Sequence, residues 1–200
     1  YNIRAASMQE GFGSVNVVTG TGDLTGVTLA GGYYNTATNA TATEITTGIW
    51  TDVLGGNYGM IIGGSYANNW SGTGKWNITG DVHTQIQGDT SVNWVVGGNY
   101  KDGQGAGITG NVYVSVDGNA VVKGSVLGGG YGTAGTSTVK GNSSLTLDGG
   151  AYTGALYAGG GGARSAVNGN ATLTVKKAAF RTGSTLNVSE GTVGGTSSLL

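Results

Sequence analysis

The chain has 200 residues, of which 43 are glycine, and it contains neither proline nor cysteine. Its 9 basic and 10 acidic residues nearly cancel, so it lacks the basic surface that nucleic-acid binding requires. No apolar run is long enough to span a bilayer, and we expect no membrane insertion. Such a glycine content can indicate disorder, but a hydrophobic fraction of 38% with periodic alternation favours an ordered fold.

The N-terminal region is the least regular part of the sequence. Residues 1–12 do not match the pattern that follows, and we expect them to form an N-terminal tail or cap. The segment Gly13 to Thr19 starts a repetitive region, in which Gly31 to Tyr34 provides the first Gly-Gly-x-Tyr phrase. Farther along, the register is ambiguous, because Val53 to Tyr58 and Ile62 to Tyr66 both fit that phrase.

Two phrases alternate through the middle of the chain at a common spacing. The Gly-Gly phrase recurs with glycine pairs that start 34, 31 and 31 residues apart, at Gly63, Gly97, Gly128 and Gly159. A Gly-Asn or Gly-Asp phrase recurs 30, 31 and 28 residues apart, at Gly80, Gly110, Gly141 and Gly169. A period of this size is typical of solenoids and other repeat arrays.

Within each repeat, apolar residues alternate with polar ones, which predicts strands joined by glycine-rich turns. Alignment of the repeats gives three inward columns: Val82, Val112, Ser143 and Ala171; Thr84, Val114, Leu145 and Leu173; Ile86, Val116, Leu147 and Val175. Stacked coils would merge these columns into one core that a single unit could not bury. We therefore predict an all-β fold, a single-stranded parallel β-helix (β-solenoid) with coils of about 30 residues. Residues 13–180 form its repeats, and residues 181–200 form a last coil or strand.

The corners of such a solenoid explain the high content of glycine and asparagine. Tight corners favour positive φ, which glycine adopts without steric cost and asparagine tolerates. The pairs Gly110-Asn111, Gly141-Asn142 and Gly169-Asn170 occupy one position of the repeat. We expect the asparagine side chains to stack from coil to coil and to hydrogen-bond to one another and to the turn backbone.

The repeat motifs also resemble those of a known family. The Gly-Gly-x-Tyr turns, the Gly-Asn-x-x-Leu-Thr-Leu strand at residues 141–147 and the Val-Leu-Gly-Gly-Gly junction at 126–130 resemble passenger repeats of bacterial autotransporter adhesins. These repeats, like those of related surface β-solenoids, are rich in glycine, threonine and asparagine. The resemblance covers about residues 13 to 175. It implies secretion, display at the cell surface, adhesion or self-association, and no catalysis.

Four tyrosines are the candidate binding residues. Tyr34, Tyr66, Tyr100 and Tyr131 fall at one position after the Gly-Gly turn, so they would stack about 5 Å apart in neighbouring coils. One interpretation is an aromatic strip on the surface, which would bind sugar rings or the apolar side chains of a partner. The alternative is an internal stack that fills the corner of the coil.

Two carboxylates are the only candidate catalytic pair. Asp117 and Asp148 share one outward column, flanked by Gln87 and Lys176. Carboxylates one strand spacing apart suit glycoside hydrolysis or a calcium site. Each of them precedes a glycine, however, and Asp-Gly is also an ordinary turn dipeptide. We interpret the pair as turn residues.

The single histidine does not make a catalytic site by itself. His83 belongs to an outward column that continues with Tyr113, Ser144 and Thr172, which predicts a solvated face. The sequence has no spacing of histidines or cysteines typical of a metal site, and it lacks the calcium-binding nonapeptide. We therefore predict no catalytic residue, no metal and no cofactor.

These observations leave three functions open. The first is a non-enzymatic, secreted or cell-surface protein with a structural or adhesive role, whose partners are host or matrix glycans. The second is a subunit of an extracellular filament, in which copies join end to end, because few charges and no proline protect the terminal coils from strand addition. The third is a glycan-active β-helix enzyme that uses Asp117 and Asp148.

Overall fold

The computed structural model describes residues 12–18, 23–35, 44–67, 77–100, 106–133 and 135–200. They form strands and turns and no helix, so none of them belongs to a helix that could cross a membrane. The strands are β1 (Phe12–Val18), β2 (Asp23–Ala30), β3 (Tyr34–Asn35), β4 (Gly48–Ile62), β5 (Tyr66–Ala67), β6 (Val82–Val96), β7 (Ala106–Ile108), β8 (Val112–Val122), β9 (Val126–Leu127), β10 (Ser137–Val139), β11 (Ser143–Tyr152), β12 (Ala155–Tyr157), β13 (Ser165–Val167), β14 (Ala171–Phe180), β15 (Thr185–Asn187), β16 (Thr192–Val193) and β17 (Ser197–Leu199).

The strands stack as a parallel β-solenoid of about 5 turns, which confirms the predicted fold class. The largest sheet runs along the whole stack, and every strand pair in it is parallel. Its register places Val114 beside Leu145, and Leu145 beside Leu173. The other two predicted columns are confirmed by the same pairings.

A further column of apolar residues packs against the core from a second sheet. The short strands β7, β10, β13 and β16 form a second parallel sheet. One apolar residue of each coil points inward from this side, in the series Ile45, Ile78, Ile108, Val139, Val167 and Val193. Packing from several sides buries the central residues of the stack, which no isolated coil could achieve.

The long strands bend where the main sheet changes direction. Gly88 and Gly118 lie at this bend with φ of 60° and 65°, in the left-handed region that favours glycine. The buried hydroxyls of Tyr58 and Tyr152 donate hydrogen bonds across the bend to the carbonyl oxygens of residues 55 and 149, each at 3.0 Å. Burial raises the pKa of Tyr152, so this phenol remains a donor. The bend is thus fixed by both backbone conformation and side-chain hydrogen bonds.

A ladder of side chains joins the coils at the Gly-Asn corners, as predicted. The side-chain oxygen of Asn111 accepts a hydrogen bond from the backbone N–H of Asn142 at 2.9 Å, and Asn142 accepts in the same way from Asn170 at 2.8 Å. Asn142 also donates its amide to the Asn111 oxygen at 3.1 Å. The first rung is Asp81, which accepts the N–H of Asn111 at 2.7 Å. Asp81 is the first residue of the ladder, so its side chain only has to accept hydrogen bonds, which a carboxylate can do. The side chain of a middle residue must also donate a hydrogen bond, which an amide can do.

The expected reason for glycine at these corners was only partly right. Gly80 has a positive φ of 105°, but Gly110, Gly141 and Gly169 are not among the glycines with positive φ. A Cβ on Gly110 would instead collide with the backbone of residue 80 in the preceding coil, and one on Gly141 would lie 2.6 Å from the carbonyl oxygen of Gly110. Close contact between stacked coils, rather than backbone conformation, therefore requires glycine at three of the four corners.

The structure also settles the ambiguous register. The segment Ile62 to Tyr66 forms the Gly-Gly corner, whereas Val53 to Tyr58 lies inside β4 at the bend. Strands continue to the end of the chain, with β17 paired to β14. The predicted tail or cap at 1–12 lies outside the described residues except for Phe12, which begins β1.

Candidate functional site

The four candidate tyrosines form one continuous stack on the outside of the solenoid. The ring centroids are 4.6 Å apart for Tyr34 and Tyr66, 5.2 Å for Tyr66 and Tyr100, and 5.0 Å for Tyr100 and Tyr131. The interplanar angles are 11°, 6° and 14°, so the rings are close to parallel. Backbone pairing of the tyrosines in successive coils sets this spacing.

This tyrosine ladder lies on a small apolar layer of its own, separate from the main core. The layer consists of Ala30, Ile62, Val96 and Leu127, which point outward from the main sheet. Tyr66, Tyr100 and Tyr131 are partly buried against it, and Tyr34 is 41% exposed. Burial raises the pKa of Tyr100, and the neighbouring Tyr131 and Tyr66 add to this effect. The ladder is therefore half-buried, between the two arrangements that the sequence suggested.

The stacking limits what the tyrosine ladder can bind. Each inner ring has a tyrosine on both sides, so its two faces are covered and only its edge and hydroxyl reach solvent. A sugar ring stacks on an aromatic face, and in this ladder such a face is available only at an end. At one end Tyr131 is followed by Gly161, over which the Leu127 side chain lies. The ladder presents a row of phenol edges, and its binding role stays a prediction.

A second aromatic row lies on the outer face of the main sheet. Trp50 stacks on His83 with centroids 4.6 Å apart, and His83 stacks on Tyr113 at 4.4 Å. The indole N–H of Trp50 donates to Asp52 Oδ1 at 2.9 Å, which holds the first ring in place. The sequence placed His83 and Tyr113 in one column but missed Trp50, since the register was ambiguous in that coil.

His83 is half-buried in this row rather than fully solvated as predicted. Burial between the two aromatic rings lowers its pKa, and the carboxylate of Asp81 partly opposes the shift. The imidazole is therefore neutral at pH 7. A neutral ring between two others serves as a stacking element of this row.

A shallow groove of about 170 Å³ adjoins the end of the second row. Its lining includes the rings of His83 and Tyr113 and the polar side chains of Gln85, Ser115, Ser144 and Thr146. A larger groove of about 390 Å³ lies at the bend and is lined mainly by glycine and alanine, with Asn119 and Lys177. Of these two grooves, the smaller one combines aromatic rings with several hydrogen-bonding groups.

The two carboxylates of the candidate catalytic pair are neighbours in register, as predicted. Asp148 forms an exposed ion pair with Lys176 at 3.2 Å, and Asp117 accepts a hydrogen bond from the N–H of Gly118 in its own turn. Both carboxylates are exposed, and neither lines the larger groove that adjoins them. This arrangement suits a turn with a surface ion pair.

One polar cluster was missed by the sequence analysis. Tyr157 donates its hydroxyl to Glu190 Oε1 at 2.7 Å, and the backbone N–H of Gly162 donates to Oε2 at 2.6 Å. These bonds lower the pKa of Glu190 and raise that of Tyr157 to about 12. The cluster joins two coils, and both carboxylate oxygens are used in doing so. Among the described residues, no group of three or more His, Cys, Asp or Glu side chains could hold a metal ion.

Comparisons of this chain with models of protein families, with curated proteins and with solved structures give no match. Functional assignment therefore rests on the geometry described above.

Proposed function

We propose that this chain is a non-enzymatic structural module of a secreted or cell-surface protein and that it acts by adhesion. The observation that carries the proposal is the outer surface, where uncharged aromatic and hydroxyl side chains repeat in register from coil to coil. A rigid stack that presents the same groups at each strand spacing suits many weak contacts with a repetitive partner such as a glycan.

The coil-to-coil hydrogen bonds support the rigidity that this role requires. Backbone pairing runs along both sheets, and the ladder from Asp81 to Asn170 adds side-chain hydrogen bonds at one corner. The side chain of each ladder residue accepts a hydrogen bond from the backbone N–H of the next one. Displacement of one coil therefore breaks hydrogen bonds to both neighbouring coils. Tyr34, Tyr66, Tyr100 and Tyr131 remain the proposed contact row for apolar groups or hydroxyls of a partner.

Adhesion can be measured with beads that carry the purified chain. We expect such beads to resist detachment by flow from surfaces coated with matrix glycans, because the folded surface provides repeated contacts. Beads that carry the core variant Leu145→Asp, in which the fold is lost, serve as the control. Equal detachment of the two kinds of bead from all surfaces would contradict the proposal. The proposed location is tested separately by antibodies, which should label intact producing cells.

A second candidate is end-to-end association of copies, favoured by the last coil. Its apolar side chains are more exposed than those of the inner coils, with Leu186 41% and Leu199 48% exposed. A further coil stacked on β15 and β17, supplied by a second copy, would bury these side chains and pair the strand edges. Electron microscopy should then show rods far longer than one molecule. Leu186→Asp combined with Leu199→Asp should leave single molecules, and long rods in that double variant would contradict this candidate.

We propose no catalytic role for Asp117 and Asp148. The turn hydrogen bond and the ion pair with Lys176 give each carboxylate a structural partner. If the purified chain released sugar from a glycan and the double variant Asp117→Asn, Asp148→Asn did not, the pair would be catalytic and this proposal would be wrong.

A further inference from the structure

The second aromatic row stops at Tyr113. Trp50, His83 and Tyr113 stack in three successive coils, with His83 and Tyr113 inclined by 29° to each other. The next position of the column is Ser144, which pairs with Tyr113 in register. A serine side chain is too small to cover a phenol ring. The face of Tyr113 that points away from His83 is therefore uncovered, and the residue is 36% exposed.

Hydrogen-bonding side chains flank this uncovered ring. Gln85, Ser115 and Thr146 form the adjoining outward row, one in each of three coils, and all three line the groove of about 170 Å³. The amide of Gln87 donates to the side-chain oxygen of Gln85 at 3.0 Å, which orients the Gln85 amide. The groove thus has an aromatic wall on one side and hydroxyl and amide groups on the other.

The charges near the groove select against anions. No lysine or arginine lines it, and its only titratable ring besides Tyr113 is His83. Acidic groups surround it, because Asp52 pairs with Gln85 in register and Asp81 acts on His83. Asp117 and Asp148 follow two residues after the groove residues Ser115 and Thr146, and the neighbouring Lys176 forms an ion pair with Asp148. Acidic sugars, phosphate groups and acidic peptides would be repelled. A neutral ligand with several hydroxyls fits this electrostatic environment best.

We propose that this groove binds one ring of a neutral glycan, with the sugar stacked on the open face of Tyr113. A pyranose with equatorial hydroxyls exposes a layer of C–H bonds on each face, and these bonds contact the aromatic ring. Its hydroxyls lie around its edge, where the side chains of Gln85, Ser115 and Thr146 supply donors and acceptors. The inference rests on the proposed adhesive function and assigns it a ligand class and a site.

The size of the groove sets the expected affinity. A volume of about 170 Å³ accommodates a single ring and leaves much of the sugar in solvent. We expect a dissociation constant on the order of 1 mM for one site, as is typical of a shallow contact. Several copies on one surface would bind a polymeric glycan much more tightly through multivalency.

The test uses the full chain with cellotetraose as the probe, followed by saturation-transfer-difference NMR. We expect transfer to the sugar C–H protons with the wild type. Tyr113→Ala should weaken binding by about tenfold or more, since it removes the stacking face. Tyr113→Phe should retain binding within a few-fold, because the ring face is preserved. Lys123→Ala, at an exposed position just after the end of β8 that lies farthest from Tyr113, should bind like the wild type. Circular dichroism must show that every variant is folded.

Three results would overturn the inference. In the first, wild type binds cellotetraose and folded Tyr113→Ala binds equally well, so that adhesion to glycans stands but uses another surface. In the second, Tyr113→Phe loses as much affinity as Tyr113→Ala, which would assign binding to the hydroxyl rather than the face. In the third, trigalacturonate binds more tightly than cellotetraose, which contradicts a neutral ligand class. Bead adhesion to glycan surfaces that persists in any of these cases separates failure of this site from failure of the proposed function.

Discussion

A charge placed in the central core column should unfold the chain, whereas the same charge one residue later should not. Leu145 is 0% exposed and lies between Val114 and Leu173 in register. Removing a buried leucine side chain costs about 2–5 kcal/mol, and a buried unpaired carboxylate adds several kcal/mol more. Because domains are stable by only about 5–15 kcal/mol, Leu145→Asp should consume most or all of this free energy of unfolding.

Thr146→Asp is the matched control, because Thr146 points outward between Ser115 and Thr174. A substitution at such a half-exposed position should change the free energy of unfolding by about 0.5 kcal/mol or less. Urea denaturation followed by far-UV circular dichroism measures both variants. We expect no cooperative transition for Leu145→Asp and a near-wild-type midpoint for Thr146→Asp. Similar midpoints for the two variants would refute the assigned inward face.

Three further predictions concern single polar groups. Thr84→Val should stabilise the chain by about 1 kcal/mol in chemical denaturation, because the buried Thr84 hydroxyl has no hydrogen-bond partner; a clear loss of stability would contradict this. Asn142→Ala should cost about 1–2 kcal/mol by the same measurement, because it removes the acceptor of the Asn170 N–H; an unchanged midpoint would show that the ladder adds no stability. Glu190→Gln should be slightly less stable than wild type at pH 7, and the difference should shrink as the pH falls below 4.5, the ordinary pKa of this carboxyl. The sign follows because bonds from Tyr157 and a backbone N–H lower the pKa of Glu190 in the folded state, so its contribution is lost on protonation. A difference that is constant between pH 7 and pH 3 would contradict this reasoning.

The tyrosine ladder shows how much of a site a repeat pattern can predict. The phrase Gly-Gly-x-Tyr placed Tyr66, Tyr100 and Tyr131 at one repeat position, and parallel pairing then required a stack with the strand spacing. The sequence did not indicate how deeply the stack is buried. That depends on Ile62, Val96 and related residues, which point outward and form a separate apolar layer.

The second aromatic row shows which contacts an ambiguous register leaves unpredicted. His83 and Tyr113 were aligned from the Gly-Asp and Gly-Asn phrases, but Trp50 belongs to a coil whose corner has Gly48 without an acidic or amide partner. The third ring of this stack became visible only when β4 was paired with β6. The groove beside Tyr113 depends on side chains from three coils and has no signature in any one repeat.

One inward column was missed although the sequence contains its signal. Ile78, Ile108, Val139 and Val167 each lie two residues before the glycine of the Gly-Asn or Gly-Asp phrase. The strands that carry them have only three residues or are single bridges, which is too short for alternation to be recognised. Their inward direction follows from closure of the coil.

The sequence by itself determined the parallel stack, the period of the coils and the columns of the main core, because a residue pattern that recurs every coil must align when strands pair in register. The tertiary structure alone decided how much of each outer ring is covered and that Trp50 continues the column of His83 and Tyr113. The physical reason is that the coverage of an outer side chain depends on the side chains beside it in neighbouring coils and corners, and the spacing of a repeat does not specify these. The sequence aligned Tyr113 with Ser144, but the exposed fraction of the Tyr113 ring is defined only after the coils have stacked.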